Sequence, residues 1–450
     1  MIRLLYIYNY FYVDNKGVAT VANMITLKKN NISNVFKLFA NTKGVLTIKM
    51  ICNELGISFS TASRLVNFLI EEEIIVQIGK EKNKRGRRTV RYSLNKDFLH
   101  IIGVYVGKQY ITVYIMDFRG DVVGATEFKH TILLNKEEIL DKICEETTNI
   151  FDKYFVGYHF KDIVCAVTFV VSGRIYIVDG VEKIVASNIW EFECANIKEI
   201  ITQRFGVSTI IESDVHAALV QCKRLERFKN YSDIAFFSIT MGIGAGIMIN
   251  NKIFKGSHNI AGEISKMKLF SSNAQNYLIC ETVRNRPMLT QLEQAYGISS
   301  VKNRAYEIYK NRNSEFYKFL NSQNIKINCA QDLELSYIDK AAVQGDQQII
   351  FMLYDFLIVW SELFANICLC VDPQIVILGG DVSDSHVYII ERLKELIQTY
   401  LGMNIEMYVI KEGEYKKEHS AFYALQNIHA NISTKLKNID KNVCLRDIQL

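Results

Sequence analysis

The sequence predicts an α/β protein in two parts, a small winged helix-turn-helix head and a larger two-lobed body. Three observations carry this prediction. Apolar residues recur at helical spacing between positions 31 and 71 and give way to a basic hairpin, strands alternate with helices from Ile101 onward, and a strand-and-glycine-turn pattern appears twice in that stretch. At 450 residues, 49% of them hydrophobic, the chain can bury two or three cores of roughly 100–200 residues each.

The net charge of +5 conceals an asymmetry, because residues 1–95 hold 15 Lys/Arg against 6 Asp/Glu while the remainder hold 38 against 42. A basic head on a near-neutral body points to a polyanionic partner for the head alone. Ten cysteines, scattered singly apart from Cys368 and Cys370 and without CxxC spacing, predict reduced core thiols and a cytoplasmic protein. The aromatic stretch Leu4–Val13 is too short and too interrupted to span a membrane, so no membrane partner is expected. Residues 1–30 read as a poorly defined extension, with translation starting at Met1 or at Met24.

The head is expected over residues 31–95. From Asn31, Val35, Leu38 and Phe39 recur at helical spacing; Thr47 then caps a second helix through Ile48, Ile51 and Leu55, which Gly56 ends. A third helix after Ser58 buries Ala62, Leu65, Val66 and Leu69 and leaves Ser60, Thr61, Ser63, Arg64 and Asn67 on polar faces. Hydroxyls, a guanidinium and an amide are the groups that read base edges from a helix in a major groove. Glu71–Glu73 read as a solvated helix end. Ile74–Ile78 and Val90–Leu94 form the hairpin, whose tip carries Lys80, Lys82, Lys84, Arg85, Arg87 and Arg88 around the turn residue Gly86, a set suited to phosphates or a narrow minor groove. Double-stranded DNA is the partner these residues predict.

The body, residues 96–435 with a tail at 436–450, begins with apolar strands Ile101–Val106 and Tyr110–Met116 around Gly107, then Asp121–Phe128. Its second half repeats the pattern: Asp233–Thr240, a glycine-rich turn Gly242-Ile243-Gly244-Ala245-Gly246, and Ile247–Ile249. Ile375–Leu378 follow later, ahead of Gly379-Gly380, with a long apolar helix from Asp346 to Cys370 between.

TMGIGAGIMINNKIFKGSHNIAGEI, Thr240–Ile264, is similar to the signature of the ROK family (repressors, open reading frames and sugar kinases), and DPQIVILGG, Asp372–Gly380, resembles its adenosine-side strand and turn. The head with Gly86-Arg87-Arg88 resembles that of the family's repressor branch. This resemblance implies an actin-like (ribonuclease H-like) ATPase fold for the body. It also implies a sugar site and a nucleotide site.

Family kinases carry DxGxT in the first hairpin, where this chain has Tyr105-Val106-Gly107-Lys108-Gln109, and GTGxG in the second phosphate turn, where Thr240-Met241-Gly242-Ile243-Gly244 stands. Gly107, Gly242, Gly244, Gly246, Gly379 and Gly380 are therefore the glycines of a degenerate nucleotide site. Asp214 occupies the place of the family's catalytic base, preceded by Ser213 instead of Asn. It is read here as an acceptor for sugar hydroxyls, or as a cap of the next helix.

The resemblance places Glu263, Glu281 and Asn188 among sugar ligands, and Gly173 at a sugar-side turn where Ser172 replaces a proline. Lys266 stands where the family's zinc-binding His is found, and Cys280 has no nearby Cys partner, so zinc is not expected, nor, with Tyr105, Gln109 and Met241 in the kinase motifs, is Mg·ATP. Lys266 is either a ligand-selecting cation or a solvated lysine. His258, His386 and His419 show no metal-ligand spacing.

On these residues the chain is expected to be a DNA-binding transcription regulator, a repressor of carbohydrate genes such as those of xylose metabolism. It would work as a homodimer or homotetramer whose body senses a sugar without phosphorylating it. Two alternatives remain: an active sugar kinase with a DNA-binding head, supported by Asp214 and opposed by Tyr105, Gln109 and Met241; and a regulator answering a protein partner, allowed by Ser213 and Lys266.

Overall fold

The computed structural model describes residues 18–41, 45–82, 88–107, 110–129, 136–178, 181–187, 196–267, 269, 291–384, 387–414 and 419–437. The head contains α1 (Val18–Asn41), α2 (Ile48–Leu55), α3 (Phe59–Glu71), β1 (Ile75–Lys82) and β2 (Arg88–Leu94). α1 begins at Val18, ahead of the Asn31 start that apolar spacing indicated. Both predicted caps form: Thr47 accepts from the Met50 amide at 3.3 Å and Ser58 from the Thr61 amide at 3.2 Å. β1 and β2 pair antiparallel from Ile75–Leu94 to Lys82–Arg88, making the wing.

The body follows as β3 (His100–Val106), β4 (Tyr110–Asp117), β5 (Val122–Lys129), α4 (Lys136–Tyr154), α5 (Phe160–Ile163), β6 (Val164–Val171), β7 (Gly173–Val178), β8 (Val181–Ser187), α6 (Ile197–Phe205), β9 (Ser208–Ser213) and α7 (Asp214–Lys223). The second lobe holds β10 (Ile234–Ile239), β11 (Ile243–Ile249), β12 (Lys252–Ile253), α8 (Gln291–Tyr296), α9 (Ile298–Lys310), α10 (Glu315–Ser322), α11 (Leu335–Val343), α12 (Gln347–Val371), β13 (Ile375–Gly380), α13 (Val387–Leu401) and β14 (Met407–Val409). The last helix among the described residues is α14 (His419–Lys437).

The two five-stranded sheets have one topology. The first runs β5-β4-β3-β6-β9 and the second β12-β11-β10-β13-β14. In each, the first three strands in chain order form an antiparallel meander and the last two join parallel to the first of them. This is the repeated pattern legible in the sequence, and it gives the two-lobed actin-like architecture. α12 is long and apolar enough to cross a membrane, but most of it is buried as the core helix of the second lobe. At its end Cys368 is buried and Cys370 exposed, so only the first is a core thiol: residues two apart on a helix point to nearly opposite sides.

Head and body share one core. Val35, Phe36 and Phe39 of α1 and Leu65, Val66 and Leu69 of α3 lie in the same buried cluster as Phe118 and as Ala424, Leu425, Ile428, Ile432 and Leu436 of α14. A helix of the C-terminal end therefore completes the packing of the N-terminal head, which the division at residue 95 did not anticipate.

Candidate functional site

Two sites emerge. On the head, burial of Ala62, Leu65, Val66 and Leu69 turns the other face of α3 outward, with Ser60, Arg64 and Asn67 exposed and Thr61 and Ser63 half-buried. The Ser58 hydroxyl lies 3.0 Å from that of Ser60 and 2.9 Å from that of Thr61, so these side chains also knit the helix start. Phe59, the first residue of α3, is 64% exposed. Sequence reasoning passed over it because a single aromatic at a helix start carries no periodic signal. At the wing, Arg88 pairs with Lys82 across the hairpin, while Lys84, Arg85, Gly86 and Arg87 lie outside the described residues.

In the body, a cleft between the sheets is lined from the first lobe by Ser172, Gly173, Arg174, Ser213 and Asp214, and from the second by Thr240–Ala245, Lys255, Asn259, Glu263 and Glu293. Asp214 opens α7 directly after β9, and the cap of that helix is Ser213, which accepts from the His216 amide at 3.4 Å. Just below, Glu212 is buried at the end of β9. Its carboxylate meets the His216 Nδ1 at 2.8 Å and the Lys255 ammonium at 2.6 Å. Burial pushes this carboxyl upward, but His216 and Lys255 outweigh it and hold it down at about 2.

Across the cleft, Arg174 of β7 reaches both acids of the second lobe, Glu263 at 3.4 Å and Glu293 at 3.0 Å. Burial drives the Glu263 carboxyl up to about 7, against the pull of Arg174 and Lys266. Glu263 reaches the cleft because Gly262 precedes it: Gly262 has φ +92°, and a Cβ there would stand 2.0 Å from the Ala245 carbonyl oxygen. Arg174, Lys255 and Glu293 were missed by the sequence reading, which had named Glu281; Glu281, Cys280, Asn188, Lys108, Gln109 and His386 lie outside the described residues. Lys266 is exposed, its ammonium hydrogen-bonded to the Tyr176 hydroxyl and 4.5 Å from that ring's centre. It stands beside the cleft wall, not among the lining residues.

The glycine-rich stretch is shorter as a turn than the sequence suggested. Only Thr240–Gly242 turn, and β11 already runs from Ile243, so Gly244 and Gly246 are strand residues. Gly246 is small because α7 packs close: a Cβ would meet Leu219 at 3.2 Å and Val215 at 3.3 Å. Gly379 and Gly380 end β13 beside Ser238 and Ile239, which brings this pair to the same edge. The Ile243 amide, first of β11, donates to the Glu293 carboxylate at 3.2 Å. Tyr105, at the end of β3 before Gly107, packs against a cluster formed by Val170, Ala217, Val220 and Tyr423.

Comparison with known proteins agrees with this geometry. The ROK family model matches residues 101–299 and 302–425, and the IclR helix-turn-helix domain model matches residues 31–79. The xylose repressor of Caldicellulosiruptor bescii is 27% identical over 54% of this chain and 60% of its own length, and that of Bacillus subtilis 26% over 55% and 63%. The Escherichia coli transcriptional dual regulator NagC is 21% identical over 56% of this chain and 61% of its length. The chain thus spans about three fifths of the length of these relatives. Among solved structures, a ROK family transcriptional regulator homologous to E. coli MLC superposes with a TM-score of 0.67 at 16% identity, covering 92% of this chain and all of that one. A ROK glucokinase from Streptomyces griseus superposes with a TM-score of 0.55 at 20% identity, over 73% of this chain and 99% of its own. With the family's own domain matched across most of the body, and the duplicated sheets that domain requires, this chain belongs to the ROK family.

Proposed function

We propose that this protein is a sequence-specific DNA-binding regulator, a repressor of carbohydrate-utilisation genes, whose kinase-like body senses a sugar and releases the head from DNA. The observation that carries the reading is the joint presence of an outward polar face on α3 beside a basic wing, and of an acid-lined cleft in a body that shares its core with that head. The relatives named xylose repressors point to a pentose as effector, and NagC to the wider class of sugars. Carboxylates such as Asp214 and Glu263 suit the hydroxyls of either. We propose that it acts in the cytoplasm as a homodimer or homotetramer on paired half-sites.

In this reading the body binds its ligand without phosphoryl transfer. Tyr105 puts a packed phenol where a metal-holding carboxylate stands in family kinases, and the Ile243 amide just after the phosphate turn is engaged by Glu293. A lysine ammonium on Tyr176 is no zinc donor, so Lys266 does not fit the family's zinc position. The second reading, an active sugar kinase, is favoured by the placement of Asp214 in the cleft.

Selection of bound duplex from a random pool, repeated with D-xylose, other pentoses, hexoses and amino sugars, tests the proposal. A salt-sensitive, sequence-selective duplex released by one sugar is expected. Sugar-dependent ADP formation abolished by Asp214→Asn, with no preferred duplex, would overturn it.

A further inference from the structure

α14 runs from just behind the cleft to the core of the head. Near its start, Tyr423 is buried against Val170 of β6 and Ala217 and Val220 of α7, beside the Glu212–Lys255 ion pair. The Lys255 ammonium also lies 5.3 Å from the centre of the Tyr423 ring. Glu212 and Lys255 line the cleft; Tyr423 does not. Ten residues further along, about 15 Å on a helix, the Ser433 hydroxyl meets that of Ser33 of α1 at 2.6 Å in a buried contact. Between them His429 stands edge-on to Phe36 of α1 at 5.7 Å and to Phe118 at 4.8 Å.

The lobes meet at this node. Lys255 follows β12 in the second lobe, whereas Glu212 and Tyr423 pack with the first-lobe sheet. A ligand hydroxyl that binds Lys255 or Glu212, or a closure that shifts one lobe against the other, must change how this ammonium is shared. The buried Tyr423 ring and hydroxyl then face a changed charge, which favours a displaced helix. A rigid helix displaced at one end carries the other end with it, and here that end is packed into the head.

We infer that Tyr423 is the positioning residue that passes the state of the cleft to the head, with α14 as the rigid connection; this rests on the sugar-sensing reading above. The packing itself, independent of that reading, says that the Lys255–Glu212–Tyr423 node and α1 are coupled.

The test uses the full chain and the duplex selected above, with D-xylose as probe. Wild type should lose duplex affinity by about 10-fold or more with D-xylose. Tyr423→Phe should bind D-xylose and, without sugar, the duplex within about 3-fold of wild type, yet show less than about 3-fold release. Release of Tyr423→Phe equal to that of wild type overturns the inference.

A second measurement needs neither sugar nor DNA. Amide exchange across Val35–Phe39 of α1 is compared in wild type and Tyr423→Phe, each with and without Lys255→Met. Lys255→Met should accelerate this exchange by about 5-fold or more only where Tyr423 is present. Equal acceleration in both backgrounds, or none in either, overturns the inference whatever becomes of the sugar-sensing reading. Loss of sugar response in wild type together with the expected exchange pattern overturns that reading and leaves the coupling standing.

Discussion

Glu263 pays for its place in the cleft at the level of a single proton. Burial holds its carboxyl up at about 7, so between pH 4.5 and 7 the native state keeps a proton that the unfolded chain gives up. Stability contributed by this residue is therefore full in acid and is lost as pH rises through 7, by at most about 3 kcal/mol. Thermal melting of wild type and Glu263→Gln from pH 4.5 to 8 should show wild type falling relative to the variant up to about pH 7 and running parallel above it. Parallel curves throughout would refute the assignment. On the head, Phe59 at the start of α3 is exposed, as is Arg64 further along the helix, and an aromatic edge can meet a thymine methyl. Phe59→Ala should weaken binding of the selected duplex by roughly 1 kcal/mol without altering its salt slope, whereas Arg64→Ala should alter both; titrations at several salt concentrations separate the two.

At the scale of elements, α14 is the piece that neither half of the chain can replace. Leu425 and Ile428 are buried against the head and the first sheet together. Leu425→Ala or Ile428→Ala should each cost about 2–5 kcal/mol and lower the melting of head and body in one transition, read by calorimetry. Two separated transitions, with only the body shifted, would contradict a shared core. The elements of the head were legible because each has a local cause. Ala62, Leu65, Val66 and Leu69 mark one face at helical spacing, and Thr47 and Ser58 announce helix starts. The start of α1 was not, since its first turns carry no cap signal. Gly242–Gly246 looked like a turn because glycine has two uses, positive φ and close approach; at Gly244 and Gly246 the second applies, and only the position of α7 decides that. In the cleft, Asp214 and Glu263 were legible through motifs in contiguous sequence. Arg174, Glu293 and Tyr423 come from three separate elements that meet only on folding and carry no spacing to read, while Lys255, though inside the Thr240–Ile264 stretch, is a single lysine after β12 whose partner Glu212 only the fold supplies.

The whole molecule is held at three levels: Arg174 spans the cleft mouth to Glu263 and Glu293, Lys255 and Glu212 tie its floor, and the α1–α14 contact joins head to body. The last of these is sensitive to acid. Burial, with Arg224 nearby, lowers the His429 imidazole to about 4, so it stays neutral where it packs against Phe36 and Phe118. The unfolded chain takes up that proton below about 6.5, and stability is lost as pH falls from there toward 4. Urea unfolding between pH 7 and 4.5 should show a steeper acid loss for wild type than for His429→Phe. The same contact makes the head a poor candidate for transplantation. Residues 31–95 grafted onto a foreign effector domain, or expressed by themselves, would present Val35, Phe36 and Phe39 to water as an oily stripe. Chimeras of this regulator should stay soluble only when the last helix travels with the first.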